Sequence, residues 1–407
     1  MTITISSVFQ LNVKRMEISD IQCYALRADI SRSIGFSQSY YSSKNNCLVK
    51  ITCTDGTVGW GECYGPNIAI SAAIEYHFKP LLIGKNPLQN EYLWNYMWRA
   101  YLDFNRQGIF MAAISGLDIA FWDIKGKALQ VPIRTLLGGS NDPIACYATG
   151  MYFRNDKSEA QMLQELLDEA ASYVSSGYTF LKVKIGKNLD FDRELLSQFR
   201  SRFPNTKLAA DSNHAYNFKE AMSIARLLEA LDYVWFEEPL APDNYADMAK
   251  LRESTTVAIA AGECEQTRYG FERLARAGSV DIFQPDIAYC GGLTEFQKIA
   301  AIASANHVDV VPHCWGLKLN QAAAASAISM LPENPGRLER RPIFLEMDQT
   351  EHPVRDSIFL DAHTVADGAL HFNDLTGLGV TVDETALSKY ALHIDTSMKD
   401  ECSTLET

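Results

Sequence analysis

Residues 180–186 read FLKVKIG, and similar segments recur as KLAADSN at 207–213, YVWFEEP at 233–239 and VAIAAGE at 257–263. Each is a short apolar run that ends in polar or charged side chains, which is typical of strands in a buried parallel sheet. The segments are spaced about 25 residues apart, the length of one strand, one helix and two short loops. The stretch therefore predicts alternating strands and helices.

Four more segments extend this repeat, namely IACYATG (144–150), VDIFQPD (280–286), VDVVPHCW (308–315) and IFLEMD (343–348). Eight regular strands favour closure into a (β/α)7β TIM-type barrel, which we place at residues 141–356. A doubly wound open sheet is the alternative that such a pattern leaves open.

The first 140 residues have a different pattern, which predicts an α+β capping domain. Strand-like segments at 21–30, 46–56 and 57–63 form an antiparallel meander with a tight turn at Asp55-Gly56, and helical periodicity follows from about residue 70 to 128. The Ser-rich segment 31–45 is expected to be a loop or mobile flap, from which Phe36 and Tyr40 contact substrate. Residues 357–407 are expected to pack back and complete this domain.

Composition excludes several classes of partner. The net charge is -13 over 407 residues, which opposes broad attraction to nucleic acid or an anionic membrane. Nine scattered cysteines without a CxxC pair favour a reducing compartment. No signal peptide or long apolar run is evident, so we expect a cytoplasmic protein.

The predicted strands end in ionisable residues that recur in phase. They are Lys184, Asp211, Glu237, Glu263, Asp286, His313 and Glu346. Because catalytic groups of such barrels lie at the carboxyl ends of the strands, these side chains are expected to line one pocket.

Strand alternation places Lys182 and Lys184 together on the barrel interior. Their proximity is expected to lower one pKa so that a lysine can act as a base, the alternative being a pair of solvated lysines. Asp211, Glu237 and Glu263 offer hard oxygen donors without Cys or His, a set that suits Mg²⁺.

Asp286 beside His313 is expected to fix the imidazole tautomer and to form a second acid/base group. Glu346 either donates a hydrogen bond to a substrate carboxylate or forms a salt bridge with a lysine. Glu238 is expected to point away from the pocket, while His214 and Cys264 are given structural roles.

The motifs KVKIG, DSN, WFEEP, GEC, QPD, PHCW and LEMD, together with GTVGWGEC and SGLDIAFWDIKGK in the first domain, resemble the mandelate racemase branch of the enolase superfamily. The resemblance implies Lys184 as a base with Lys182 as its electrostatic partner, and a dyad of His313 and Asp286. It also implies Mg²⁺ on the three carboxylates and substrate contacts from Glu346 and Asn213.

Two positions distinguish this sequence from particular groups within the mandelate racemase branch. Asp286 replaces the lysine of the muconate-lactonizing members, and Asn213 replaces the extra histidine of galactonate-type dehydratases. NHAY, PHCWG and LEMD look most like sugar-acid dehydratases and galactarolactone cycloisomerases. We expect β-elimination from a sugar acid or sugar lactone, and we prefer dehydration to lactone opening. The protein is expected to be a homo-oligomer. A 2-hydroxy-acid racemase or epimerase, a Schiff-base aldolase using Lys184 and a non-catalytic sugar-acid binder are the alternatives.

Overall fold

The computed structural model describes residues 16–332, 338 and 341–392. Its first unit begins with an antiparallel meander of β1 (Ile18–Gly35), β2 (Tyr40–Cys53) and β3 (Val58–Cys63). The predicted turn at Asp55-Gly56 is confirmed, since Gly56 has a φ of 89° and the Cys53 N–H donates to the Thr57 carbonyl at 2.9 Å.

The Ser-rich segment does not form the expected long loop. Paired strands run to Gly35 and resume at Tyr40, so only residues 36–39 turn the chain. Alternation explains the difference, because Ile34 is buried and Tyr41 is partly buried, while Ser31, Ser39 and Ser42 are exposed. The serines that predicted a loop therefore lie mainly on the solvent-facing side of a long β-hairpin.

A group of helices packs on the meander. It comprises α1 (Asn67–Ala73), a π-helical turn (Ile74–Phe78), α2 (Lys79–Leu82), α3 (Asn90–Ala100), α4 (Ile109–Leu129) and α5 (Ile133–Leu136). Helix α4 is buried over most of its length and approaches β3 closely, since a Cβ on Gly61 would lie 1.9 Å from the carbonyl oxygen of Gly116. Within the described ranges given above, no helix is long and apolar enough to cross a bilayer.

The second unit is the predicted parallel barrel. Its strands are β4 (Ile144–Thr149), β5 (Phe180–Lys184), β6 (Lys207–Asp211), β7 (Trp235–Glu237), β8 (Ala258–Ala261), β9 (Ile282–Phe283), β10 (Asp309–Val310) and β11 (Leu345–Asp348). Neighbouring strands pair in chain order from β4 to β10, and β11 pairs with β4. This arrangement is the (β/α)7β barrel of the sequence analysis.

Among the residues that the structure describes, seven helices connect these strands: α6 (Glu159–Ser175), α7 (Leu189–Arg202), α8 (Phe218–Ala230), α9 (Tyr245–Glu253), α10 (Thr267–Ala277), α11 (Gly292–Ala305) and α12 (Lys318–Ser329). Capping residues explain where some of them begin. The Asn217 side chain, for example, accepts hydrogen bonds from the backbone N–H groups of Lys219 and Glu220 at the start of α8.

The barrel interior is filled from one end by apolar side chains. Phe180 and Trp235 meet there with ring centroids 4.7 Å apart. Along β5, Leu181 and Val183 join the core shared with the surrounding helices. Lys182 therefore faces inward above Phe180, as alternation predicts.

The chain beyond the barrel contacts both units. It forms α13 (Pro353–Ser357), β12 (Phe359–Asp361), β13 (Thr364–Ala366), β14 (Ala369–His371), β15 (Thr381–Val382) and α14 (Glu384–Ser388). Ala391 pairs with Leu26 of the first unit. Strand β14 instead pairs with Ile144 and Ala145, because these first residues of β4 are not paired with β5 or β11.

Candidate active site

Three carboxylates converge at the carboxyl ends of β6, β7 and β8. Asp211 and Glu237 are opposite each other in the parallel register, and Glu263 follows β8 across a turn at Gly262. One oxygen of each residue lies within 4.8 Å of the other two. The predicted trio is thus brought together, with Asp211 and Glu237 fully buried.

This trio has the character of a cation site. Glu263 Oε2 is buried without a hydrogen bond, although it lies 3.4 Å from His313 Nε2. Burial raises the pKa of Glu237, and Asp211 raises it further against the opposing effect of Lys182. Since an all-oxygen donor set with excess negative charge suits Mg²⁺, Asp211, Glu237 and Glu263 are the residues that would hold it.

Two buried lysines neutralise part of this charge. Lys182 Nζ lies 2.5 Å from Glu237 Oε1 and 2.8 Å from Glu346 Oε1, while Lys184 Nζ contacts Asp211 and lies 2.9 Å from Asn213 Oδ1. Burial disfavours the charge on both, but the carboxylates outweigh it and raise both pKa values. The expected lowering of one lysine pKa is therefore not observed, because anions and not the second ammonium dominate.

At the other end of the trio lies His313. Its Nδ1 is 2.7 Å from Asp286 Oδ2, and Asp286 Oδ1 accepts hydrogen bonds from the Ala288 N–H at 2.8 Å and Asn320 Nδ2 at 3.2 Å. Burial opposes protonation, but Glu263, Glu346 and Asp286 together raise the pKa of His313 to about 9. The predicted pairing of Asp286 with His313 is thus present in the structure.

Glu346 forms the salt bridge that was the alternative to a protonated role. Besides Lys182, it accepts hydrogen bonds from Thr149 Oγ1 at 2.6 Å and the Cys314 N–H at 3.0 Å. Although burial raises its pKa, Lys182 and His313 bring the pKa well below its ordinary value. The structure thus shows the salt bridge with Lys182, and a contact of Glu346 with a substrate carboxylate stays a prediction.

The three predicted substrate contacts occupy different places. Asn213 lies in the pocket with a φ of 42°, beside Lys184. Phe36 is partly buried with Tyr152 and Trp315 beneath the hairpin tip, whereas Tyr40 is 42% exposed. Their contact with substrate stays a prediction.

Glu238 is the clearest correction. It does not point away from the pocket, because its backbone turns to a φ of 45° as β7 ends, and this breaks the strand alternation. Its carboxylate accepts a hydrogen bond from Asn213 Nδ2 at 3.3 Å and lies 3.1 Å from His214 Nε2. Alternation holds only inside a strand, so sequence pattern could not locate this residue.

Sequence reasoning also missed residues that support the site. Gln284 Nε2 donates to Glu237 Oε2 at 2.7 Å, and its position two residues before Asp286 was a usable signal. Tyr64 of the first unit packs against His313 with ring centroids 5.4 Å apart. Glu62 accepts hydrogen bonds from the N–H groups of Leu317 and Asn320, and nothing in its local sequence indicates this.

Both units of the chain match known protein families. Residues 165–386 match the enolase C-terminal domain-like family, and residues 27–138 match the N-terminal domain of mandelate racemase / muconate lactonizing enzyme. The chain belongs to the mandelate racemase / muconate lactonizing enzyme family. It is accordingly an enolase-superfamily enzyme, a dehydratase or cycloisomerase.

Relatives match over nearly the whole chain. D-galactarolactone cycloisomerase of Agrobacterium fabrum is 32% identical over 93% of this chain and 99% of its own length, and arabinonate dehydratase of Saccharolobus solfataricus is 37% identical over 84% and 89%. The crystal structure of 3,6-anhydro-D-galactonate cycloisomerase from Zobellia galactanivorans has 39% identity and a TM-score of 0.84, covering 93% of this chain and all of that one.

Magnesium occurs in a related structure of this family. A racemase from Streptomyces coelicolor, 26% identical with a TM-score of 0.81 over 92% of this chain and 100% of that one, was crystallised with bound magnesium. Family members thus bind the ion that the three carboxylates suit.

Proposed function

We propose that this enzyme catalyses a Mg²⁺-dependent β-elimination that opens the ring of a cyclic sugar acid or sugar lactone. One observation carries the proposal: Lys184 and His313, two groups able to transfer protons, border opposite ends of one carboxylate trio. Lys184 contacts Asp211, and His313 Nε2 lies 3.4 Å from Glu263. A substrate carboxylic acid bound between Lys184 and His313 has a proton acceptor on one side and a proton donor on the other.

The chain's own residues account for binding and proton transfer. Mg²⁺, when bound, polarises the substrate carboxylate, which acidifies the α-proton, and offsets the anions that raise the pKa values of Lys184 and His313. One of these two groups takes the α-proton, and the other protonates the oxygen that leaves the β-carbon. Asp286 holds His313 with Nε2 toward the pocket, and Lys182 keeps Glu346 ionised and in place.

The nature of the leaving oxygen distinguishes two candidates. Ring opening is favoured by the match of two cycloisomerases over 93% of this chain and 99% or more of their own lengths. Dehydration of an acyclic sugar acid is the second candidate, supported by the 37% identity to arabinonate dehydratase. Elimination also explains the arrangement better than a Schiff-base aldolase, because Lys184 is held as an ion pair with Asp211.

A panel experiment in D₂O separates these reactions. The purified enzyme with Mg²⁺ is incubated with aldonates, aldarates, aldarolactones and anhydro-sugar acids, and products are analysed by mass spectrometry and NMR. We expect a 2-keto-3-deoxy product with the mass of the cyclic substrate, plus incorporated deuterium. Loss of one water from an acyclic acid would indicate the dehydratase, and deuterated but otherwise unchanged or epimerised substrate would indicate a racemase. Binding without exchange across the whole panel would refute catalysis.

A further inference from the structure

A second group of metal-ligating side chains lies directly beside the carboxylate trio. It consists of His214, Glu238 and Cys264, which follow the carboxyl ends of β6, β7 and β8. His214 Nε2 lies 3.1 Å from Glu238 Oε2 and 3.5 Å from Cys264 Sγ, and all three ligand atoms are within 4.8 Å of one another. The same three strands therefore supply two adjacent sets of donors.

The imidazole is oriented for ligation. His214 Nδ1 lies 3.0 Å from the Leu240 carbonyl oxygen, which can only accept, so Nδ1 carries the proton. Nε2 faces Glu238 and Cys264, so its lone pair is directed at both donors whenever Nε2 carries no proton. This arrangement, a ring nitrogen fixed by a backbone carbonyl behind it, is the usual support for a histidine that binds a metal.

Of the other two donors, Glu238 is buried and Cys264 is exposed. The Glu238 side chain is only 1% exposed, and Asn213 Nδ2 donates to its carboxylate. His214 and Glu238 both have left-handed backbones, with φ of 66° and 45°, and the His214 N–H donates to the Glu238 carbonyl at 2.8 Å. Of the eight cysteines in the described part of the chain, Cys264 alone is exposed, which gives an ion a path from solvent.

The donor set selects a class of ion. One sulfur, one imidazole nitrogen and one carboxylate oxygen suit Zn²⁺ and similar thiophilic ions, whereas Mg²⁺ prefers oxygen alone. We propose that His214, Glu238 and Cys264 form a binding site for a thiophilic divalent ion of the Zn²⁺ class, separate from the Mg²⁺ site. Three protein ligands leave one position of a tetrahedral ion for water or another small ligand.

Occupancy of this site affects the neighbouring pocket. Glu238 is the acceptor for Asn213 Nδ2, and Asn213 Oδ1 in turn lies 2.9 Å from Lys184 Nζ. A cation that takes the Glu238 carboxylate competes with Asn213 for it. We therefore expect inhibition at constant Mg²⁺; this second consequence rests on the proposed function, whereas the binding does not.

Binding is tested with the Mg²⁺-saturated full-length protein and Cd²⁺ as the probe. Cd²⁺ bound to a thiolate gives an ultraviolet charge-transfer absorption, and Zn²⁺ affinity is measured in parallel by calorimetry. We expect the absorption to saturate at one equivalent and to be unaffected by added Mg²⁺. Cys264→Ser should abolish it, His214→Gln should weaken Zn²⁺ binding at least about tenfold, and the matched control Cys23→Ser should leave both signals unchanged.

Two results would overturn the proposal. The first is an absorption that persists in Cys264→Ser or never forms. The second is Zn²⁺ binding that Mg²⁺ displaces competitively, which would place the ion on the carboxylate trio. Neither readout requires turnover, so failure of this site and failure of the proposed reaction are distinguishable.

Discussion

Replacing Asp286 by asparagine tests the acid/base dyad with almost no change in volume. In the wild type, Asp286 Oδ1 accepts hydrogen bonds from the Ala288 N–H and from Asn320 Nδ2, while Oδ2 faces His313 Nδ1 at 2.7 Å. The two donors require an oxygen in the first position, so the amide nitrogen of the new side chain would face His313. The imidazole must then accept at Nδ1, and its proton moves to Nε2.

The expected loss is large in either role of His313: the Nε2–H tautomer cannot take a proton at Nε2, and an imidazolium that donates from Nε2 would lose the carboxylate that stabilises its charge. When an isosteric amide imposes the wrong tautomer on a catalytic histidine, turnover falls by about 10⁴-fold, or about 5 kcal/mol of activation free energy. Folding should change far less, since the hydrogen-bonding groups around position 286 keep partners. Mg²⁺ affinity should also be preserved, because Asp286 is not among the three carboxylates that would bind it.

The assay measures kcat/KM for product formation and the rate of α-proton exchange in D₂O, with Mg²⁺ affinity by calorimetry. Asp309→Asn, the same change at a partly exposed residue paired with Arg341, is the matched control and should stay within about twofold of wild type. If Asp286→Asn retains both elimination and exchange within about tenfold of wild type, His313 is not the acid/base group that we propose.

Three further outcomes follow from the structure. Mg²⁺ at about 100 times its dissociation constant should stabilise the wild type by about 2.7 kcal/mol, measured as a rise in thermal midpoint, and Glu263→Gln should remove this rise at the same concentration. His352 is buried, and burial together with the positive charges of Lys44 and Arg355 lowers its pKa to about 2. Below about pH 6.5 the unfolded chain therefore binds a proton at this position that the folded chain does not bind. The free energy of unfolding consequently falls as the pH is lowered through this range. Between about pH 6.5 and 5 the free energy of unfolding falls by about 2 kcal/mol for this reason. The variant His352→Asn, whose side chain can still accept a hydrogen bond from the Arg355 N–H, should show a smaller drop in thermal midpoint across that range. Gly61→Ala should lower the midpoint by several degrees, because its Cβ would overlap the Gly116 carbonyl; an unchanged midpoint would contradict this packing.

The barrel and the chemistry at its strand ends were predictable because both follow from strand periodicity. The inward direction of Lys182 and the approach of Asp211 to Glu237 require only alternation and parallel register, and Glu263 joins them from the turn that follows β8. The proximity of Asp286 to His313 was predictable from chain order, because each follows the carboxyl end of one of two neighbouring strands, β9 and β10.

The incorrect expectations concern groups whose surroundings are set by distant parts of the chain. Lys182 contacts a carboxylate from β7 and another from β11, so the charge balance on Glu346 depends on three strands at once. Glu238 reaches the pocket through a left-handed turn that no strand pattern encodes. The hairpin that turns between Gly35 and Tyr40 has the composition of a loop because its exposed face is rich in serine.

Contacts between the two units explain why strand ends alone did not predict the complete site. On the Lys184 side, Ser37 Oγ and Gln38 Nε2 of the hairpin tip donate to the Asn213 carbonyl at 2.9 and 3.0 Å. On the His313 side, the Glu62 carboxylate accepts hydrogen bonds from the N–H groups of Leu317 and Asn320 at the start of α12, and the Asn320 side chain donates to Asp286. The first unit thus positions the partners of both proposed acid/base groups while supplying neither. Packing of the first unit against the barrel is therefore coupled to the proposed geometry of proton transfer. A substitution at Glu62 should alter turnover without changing any of the three carboxylates that would hold Mg²⁺.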